Sequence, residues 1–186
     1  METSNSNYLK SVKNLFRYYR SLGDKAFAQI DEPDIHWRYN EELNSIAAIV
    51  KHVSGNSLSR WTDFLTSDGE KEWRNRDDEF EDTITNKTEM IALWNKGWDC
   101  LLGAINGLTE DDLMRTIYIR NEGHTVIEAI NRQLSHIPCH VGQIIFVAKM
   151  ITGAKWQSLT IPKGQSGAFN KEKFSTEKEH KFFGGK

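Results

Sequence analysis

Cysteine is scarce in this chain: Cys100 and Cys139 are the only two among 186 residues. Two thiols cannot build a disulfide framework, so a reduced, cytoplasmic setting is expected. Proline is nearly as rare, with three residues, which leaves room for long uninterrupted helices. No run of about 18 apolar residues occurs, so no membrane-spanning segment is expected. The first ten residues, METSNSNYLK, lack the apolar stretch of a signal peptide. Neither sign of charge is in excess. The 24 Lys and Arg against 26 Asp and Glu leave −2, which gives no general attraction for nucleic acid or an anionic membrane. Internal repeats are missing, and low-complexity sequence is confined to the tail.

What remains is the composition of a globular protein, 38% apolar and 27% charged, long enough for one domain with a sizeable core. That domain is taken as 1–186: a core over about 7–152, an extended C-terminal arm over 153–175 and a frayed tail over 176–186. Apolar residues at steps of three and four predict a first helix from about Asn7 to Ile30, ended by Pro33. A second helix starts at Asn44 or Ser45, both good N-caps, and covers SIAAIVKHVSGNSLSRWTDFL. The stretch TSDGEKEWRNRDDEFED has no helical period and is long for a loop, so it suits a crossover. A third helix spans roughly Asn86 to Asn106, with Asn86 and Glu89 at capping-box spacing. RTIYIRNEG alternates like a strand. Thr125 and Glu128 form a capping box for a fourth helix over about 125–152. Beyond Gly153, WQSLTIPKGQSGAFNKEKF reads as extended and loop-like. Four long helices and one crossover predict an all-α four-helix bundle.

The chemistry concentrates in QLSHIPCHVGQIIFVAK. His136 and His140 lie four apart, within about 40° of each other on a helix. Both sit at the edge of the sector holding Ala129, Ile137, Ile144 and Val147. H-x-x-x-H spacing lets two imidazoles reach one metal ion, although buried histidines often only satisfy hydrogen bonds. A third ligand must come from another helix, and His52 borders an apolar arc there, with Asn56 and Asp63 on nearly its own face. Pro138 has no N–H for the Leu134 carbonyl, so a bend is expected. It either fits the helix to its neighbours or aims the imidazoles.

At these residues a resemblance enters. IAAIVKHVSGN followed by HIPCHVGQ resembles the DinB/YfiT-like superfamily. SRWTDFLTSDGEKEWRNRD, NRQLSHIPCHVGQI and IPKGQSGAFN resemble an uncharacterised bacterial branch of it, over residues 5 to 175. The resemblance implies an up-down-down-up four-helix bundle, often a homodimer, with a divalent metal held by three histidines that match His52, His136 and His140. It implies zinc or nickel, and relatives that use low-molecular-weight thiols such as bacillithiol or mycothiol. A metal-dependent thiol S-transferase is therefore the leading expectation. A metal-dependent hydrolase and a non-catalytic metal-binding stress-response module stand beside it.

Other residues have narrower expectations. Arg60, Arg74 and Arg76 suit a substrate carboxylate or phosphate, or a solvated face. Asn56, Asp63 and Gln143 suit orientation of a ligand histidine. Trp61 and Trp73 suit core or dimer packing, or a pocket wall. Cys139 is expected to be a small buried apolar residue. His36 and His124 are expected in solvent, and His180 in the tail. KGQSGAFN lacks the context of a phosphate loop.

Overall fold

The computed structural model describes residues 3–184; the expected domain bounds at 1, 2, 185 and 186 lie outside them. The described chain is mostly helical, with five α-helices and one two-stranded sheet.

Helix α1 (Ser4–Phe27) begins at Thr3, whose hydroxyl accepts from the Ser6 N–H. It ends before Ile30, so Pro33 does not stop it but opens a short 3₁₀ turn, Pro33–His36. Helix α2 (Ile46–Trp61) is capped by the Ser45 hydroxyl, which accepts from Ala48 N–H. Helix α3 (Lys87–Asn106) is capped by Asn86. Glu89 bonds back to the Thr85 N–H and hydroxyl, so the expected box closes one residue early.

After α3 the chain forms a hairpin from β1 (Thr116–Ile119) and β2 (Glu122–Thr125), paired Ile117 to His124 and Ile119 to Glu122. Its two turn residues, Arg120 and Asn121, both have positive φ, as a tight primed turn requires. Asp68 accepts from both their N–H groups at 2.8 Å and fixes the turn. Helix α4 (Val126–Thr152) starts on the expected Thr125–Glu128 capping box and continues through Pro138. The arm is not wholly extended: Ser166–Phe174 forms helix α5. KGQSGAFN therefore does open a short helix, though without a preceding strand.

Helix α1 packs on α3 and α4, and α2 packs on the same two partners. Phe16, Trp94, Trp98, Leu101, Ile130, Ile137 and Ile144 fill the common core. Gly97 permits close approach there, since a Cβ would come within 2.7 Å of Ser54 Cα.

The charged crossover is not a free loop. It lies back along α2: Ser59 Oγ donates to Gly69 O, Lys51 Nζ to Asp78 O and Thr83 Oγ1, and Ser45 Oγ to Asp82. It thus returns to the end where α2 starts, and α3 begins there.

With the turn that follows it, α4 is the one stretch among the described residues long and apolar enough to cross a membrane by length and composition. Core helices pass the same test; 22% of this stretch's apolar window is buried, with Ile137, Val141, Ile144 and Ala148 packed into the core.

Candidate metal centre

Helix α2 delivers His52 and helix α4 delivers His136 and His140, one turn apart. Their Nε2 atoms converge: His52 to His136 at 3.2 Å and His140 to His136 at 3.0 Å. One ligand atom from each lies within 4.8 Å of the others. Three nitrogens about 2.0–2.1 Å from one zinc in a tetrahedron stand about 3.3 Å apart. The observed spacing therefore fits a shared cation with little adjustment.

The partners of the other ring nitrogens decide where the lone pairs point. His52 Nδ1 lies 2.9 Å from Glu79 Oε2. An ionised carboxylate only accepts, so a neutral His52 holds its proton on Nδ1 and offers a lone pair at Nε2. His140 Nδ1 lies 2.9 Å from Gln143 Oε1, which imposes the same tautomer. Two lone pairs therefore face the point where His136 Nε2 also faces. A carboxylate or amide oxygen behind a ligand histidine is the usual way its orientation is fixed. His136 Nδ1 is buried with no hydrogen-bond partner among the described residues.

Burial and neighbouring groups disfavour the charged form of His136 and His140. Burial, then the imidazoles of His140 and His52, then Arg74 and Arg60, hold the His136 pKa down at about 3. Burial also lowers His140; the bond to Gln143 opposes this and His52 reinforces it. Neutral imidazole is the form that binds metal. Burial alone would raise the Glu79 carboxyl, but bonds from His52 and Arg74 outweigh it and leave it below the usual range. Arg74 grips Glu79 with two bonds, Nε to Oε1 at 2.7 Å and Nη2 to Oε2 at 2.9 Å. Gly55 leaves the space this carboxylate needs, because a Cβ there would overlap Glu79 Oε1. Phe80 stacks on the His52 ring at 4.9 Å between centroids.

Residues 3–165 match the family described as Protein of unknown function (DUF1572). The chain belongs to the DUF1572 family. No curated protein gives a significant match. The matched stretch of this DUF1572 member holds all three histidines and Glu79, and stops short of α5.

The histidines open on a cavity of about 390 Å³, walled by Asn56, Arg60, Trp61, Arg74, Gln133 and the β1 residues Ile117 and Ile119, among others. Asn56 makes no hydrogen bond to a histidine among the described residues; its Oδ1 accepts from Gln133 Nε2 at 3.2 Å. Arg60 lines the wall and bonds Gly69 O and Glu70. Arg74 acts through Glu79, and Gln143 on His140. Asp63 is misplaced by the sequence reading: α2 stops at Trp61, and Asp63 is exposed at φ 48°, its carbonyl accepting from Thr66 and Ser67. Trp61 is buried in the wall, whereas Trp73 is 61% exposed and packs no core. Cys139 is exposed rather than buried, its thiol donating to Ser135 O at 3.2 Å. His36 pairs with Asp82 at 2.8 Å. His124 is only partly exposed, and its Nε2 is buried.

Glu79, Phe80, Gln133, Arg120 and Arg132 are the site residues the sequence reading missed. Gln133 was within reach, since seven residues before His140 is nearly the same helix face. Glu79 was not, because several acids crowd an aperiodic stretch and nothing in their order selects one.

Proposed function

We propose that this DUF1572 member is a metal-dependent enzyme of the DinB/YfiT-like superfamily, acting as a thiol-dependent S-transferase. His52, His136 and His140 would hold a divalent cation, zinc or nickel. The observation that carries this is the convergence of three Nε2 atoms at the wall of an open cavity. A structural zinc site is closed by four protein ligands, whereas three leave a position for a reactant. A cation so held supplies Lewis acidity, which makes a thiolate or hydroxide available at neutral pH. The chain's own part is to keep His136 and His140 neutral, aim His52 and His140 through Glu79 and Gln143, and present the reactant in a walled pocket. The volume lies within the range of small-molecule sites, which favours an enzyme over a non-catalytic metal-binding module.

The resemblance also supports reading α1 to α4 as an up-down-down-up bundle, and the crossover's return to the start of α2 agrees with that order. A homodimer is part of the proposal. Its support is the exposed apolar group Trp37, Tyr39, Leu43, Phe146 and Met150, and light scattering in solution tests it.

The function is tested by metal analysis of the purified protein and its His136→Ala variant, followed by turnover of a bacillithiol-type thiol with an electrophile panel. The expected result is near-stoichiometric metal that the variant loses, and thiol consumption abolished by chelation. Metal-dependent release of product from water alone would assign a hydrolase instead. Equal metal content in both proteins would overturn the proposal.

A further inference from the structure

Five arginines line the cavity beside the histidines: Arg60 from α2, Arg74 and Arg76 from the crossover, Arg120 from the hairpin turn and Arg132 from α4. Among the described residues no carboxylate lines it. Three acids stand behind the wall, Asp68 among them, which accepts the Arg120 N–H at 2.8 Å and whose charge acts on Arg60. Glu70 serves Arg60 at 3.2 Å, Arg74 at 3.5 Å and Arg120 at 3.0 Å, and Glu79 serves Arg74 at 2.7 Å. Five guanidinium charges thus face three carboxylates, Asp68, Glu70 and Glu79. Arg76 and Arg132 have no acidic partner within 4.0 Å among the described residues.

An arginine cluster is often a solvated face, and the two buried members, Arg60 and Arg74, at 10% and 2% exposed, have Glu70 and Glu79 as counter-ions. The excess positive charge is carried by the exposed Arg76 and Arg132, which line the cavity beside Arg120. A second observation points the same way. Trp61 lines the cavity, is 4% exposed, and its indole N–H is buried without an acceptor among the described residues. Away from the three histidines the wall therefore offers donors, charge and apolar surface from Trp61, Ile117 and Ile119.

We infer that the substrate carries an oxyanion, a carboxylate or a phosphate, bound by Arg76, Arg120 and Arg132 while its apolar part lies against Trp61, Ile117 and Ile119. This rests on the pocket being the substrate-facing side of the histidine cluster. Guanidinium forks match both oxyanions in two-bond geometry, and a cleft of one charge sign concentrates ligands of the other.

The test uses full-length protein kept metal-free with a chelator and titrated by calorimetry with phenyl phosphate, benzoate and benzyl alcohol. At least one anion should bind, benzyl alcohol should not, and affinity should fall as salt rises. The tighter of the two anions assigns the headgroup. Arg76→Gln and Arg132→Gln each remove charge-assisted bonds and should weaken that anion about tenfold. Both side chains are exposed, so the fold survives, and circular dichroism checks it. Binding of benzyl alcohol as tight as the anions, no binding of any probe, or undiminished anion binding in the double variant would overturn the inference. A protein that retains metal but binds no anion fails here alone; one that binds the anion but no metal fails only the metal-centre reading.

Discussion

His52 faces its neighbours correctly because of a residue 27 positions later in the chain. Glu79 orients its ring, Arg74 holds Glu79, and Gly55 leaves the room. Partners behind a ligand histidine are worth about 10–100-fold in metal affinity. Glu79→Gln should therefore weaken zinc by about that factor, read by competition with a chromogenic chelator, while the three imidazoles stay in place. Gly55→Ala should act in the same direction without touching a single polar atom, since its methyl must displace the carboxylate. If Gly55→Ala binds zinc as tightly as the wild type, Glu79 does not set the site. At this scale the sequence was uneven. His136 and His140 declared themselves by a four-residue step on one helix, and Gln143 by another three. His52 stood out as a candidate beside the apolar arc of its own helix, but periodicity cannot say which helices meet, so its convergence with the other two was not legible there. Glu79 was invisible, because it is chosen by the path of an aperiodic crossover and not by any local pattern.

At the scale of elements, local chemistry told the starts of helices better than their ends. Ser45, Asn86 and Thr125 cap α2, α3 and α4 as their residue types suggest, because a cap is a contact within three residues. The ends of α1 and α2 fell short of the apolar pattern. The pattern persists in Ile30, Phe64 and Leu65, but Ile30 and Phe64 reach the core from turns instead. Asp63 went wrong for that reason. Thr125→Ala should cost about 1 kcal/mol, measured by urea unfolding, because it removes half of a box that starts the helix bearing two of the histidines. The 3₁₀ turn Glu110–Asp112 has a similar box. Asp112 accepts the Thr109 N–H, then bonds from Arg115 and the Thr109 hydroxyl, which together hold its pKa down at about 2. An unfolded aspartate titrates near about 3.9. A depressed carboxylate stabilises the fold above the unfolded value, and that stability is lost as pH falls through the folded one. Asp112→Asn should therefore differ from the wild type at pH 5 and converge with it near pH 2.

For the whole molecule, the three imidazoles join parts that are distant in sequence. α2 brings His52 with the crossover clasped behind it, and α4 brings the other two. A cation binding only the folded chain stabilises it by about 2.7 kcal/mol at a hundred times its dissociation constant. With a urea slope of roughly 2 kcal/mol per molar, the midpoint should rise by roughly 1 M on adding zinc. His136→Ala should abolish that rise. It should not greatly weaken the metal-free protein, because the side chain it removes leaves a buried Nδ1 unpaired and crowds two other lone-pair donors, and losing an unpaired buried polar group recovers part of the burial cost. The two effects separate a centre built for metal from a histidine cluster built for packing. A packing cluster would show the opposite pattern, a metal-free variant that unfolds much earlier and a wild type indifferent to zinc.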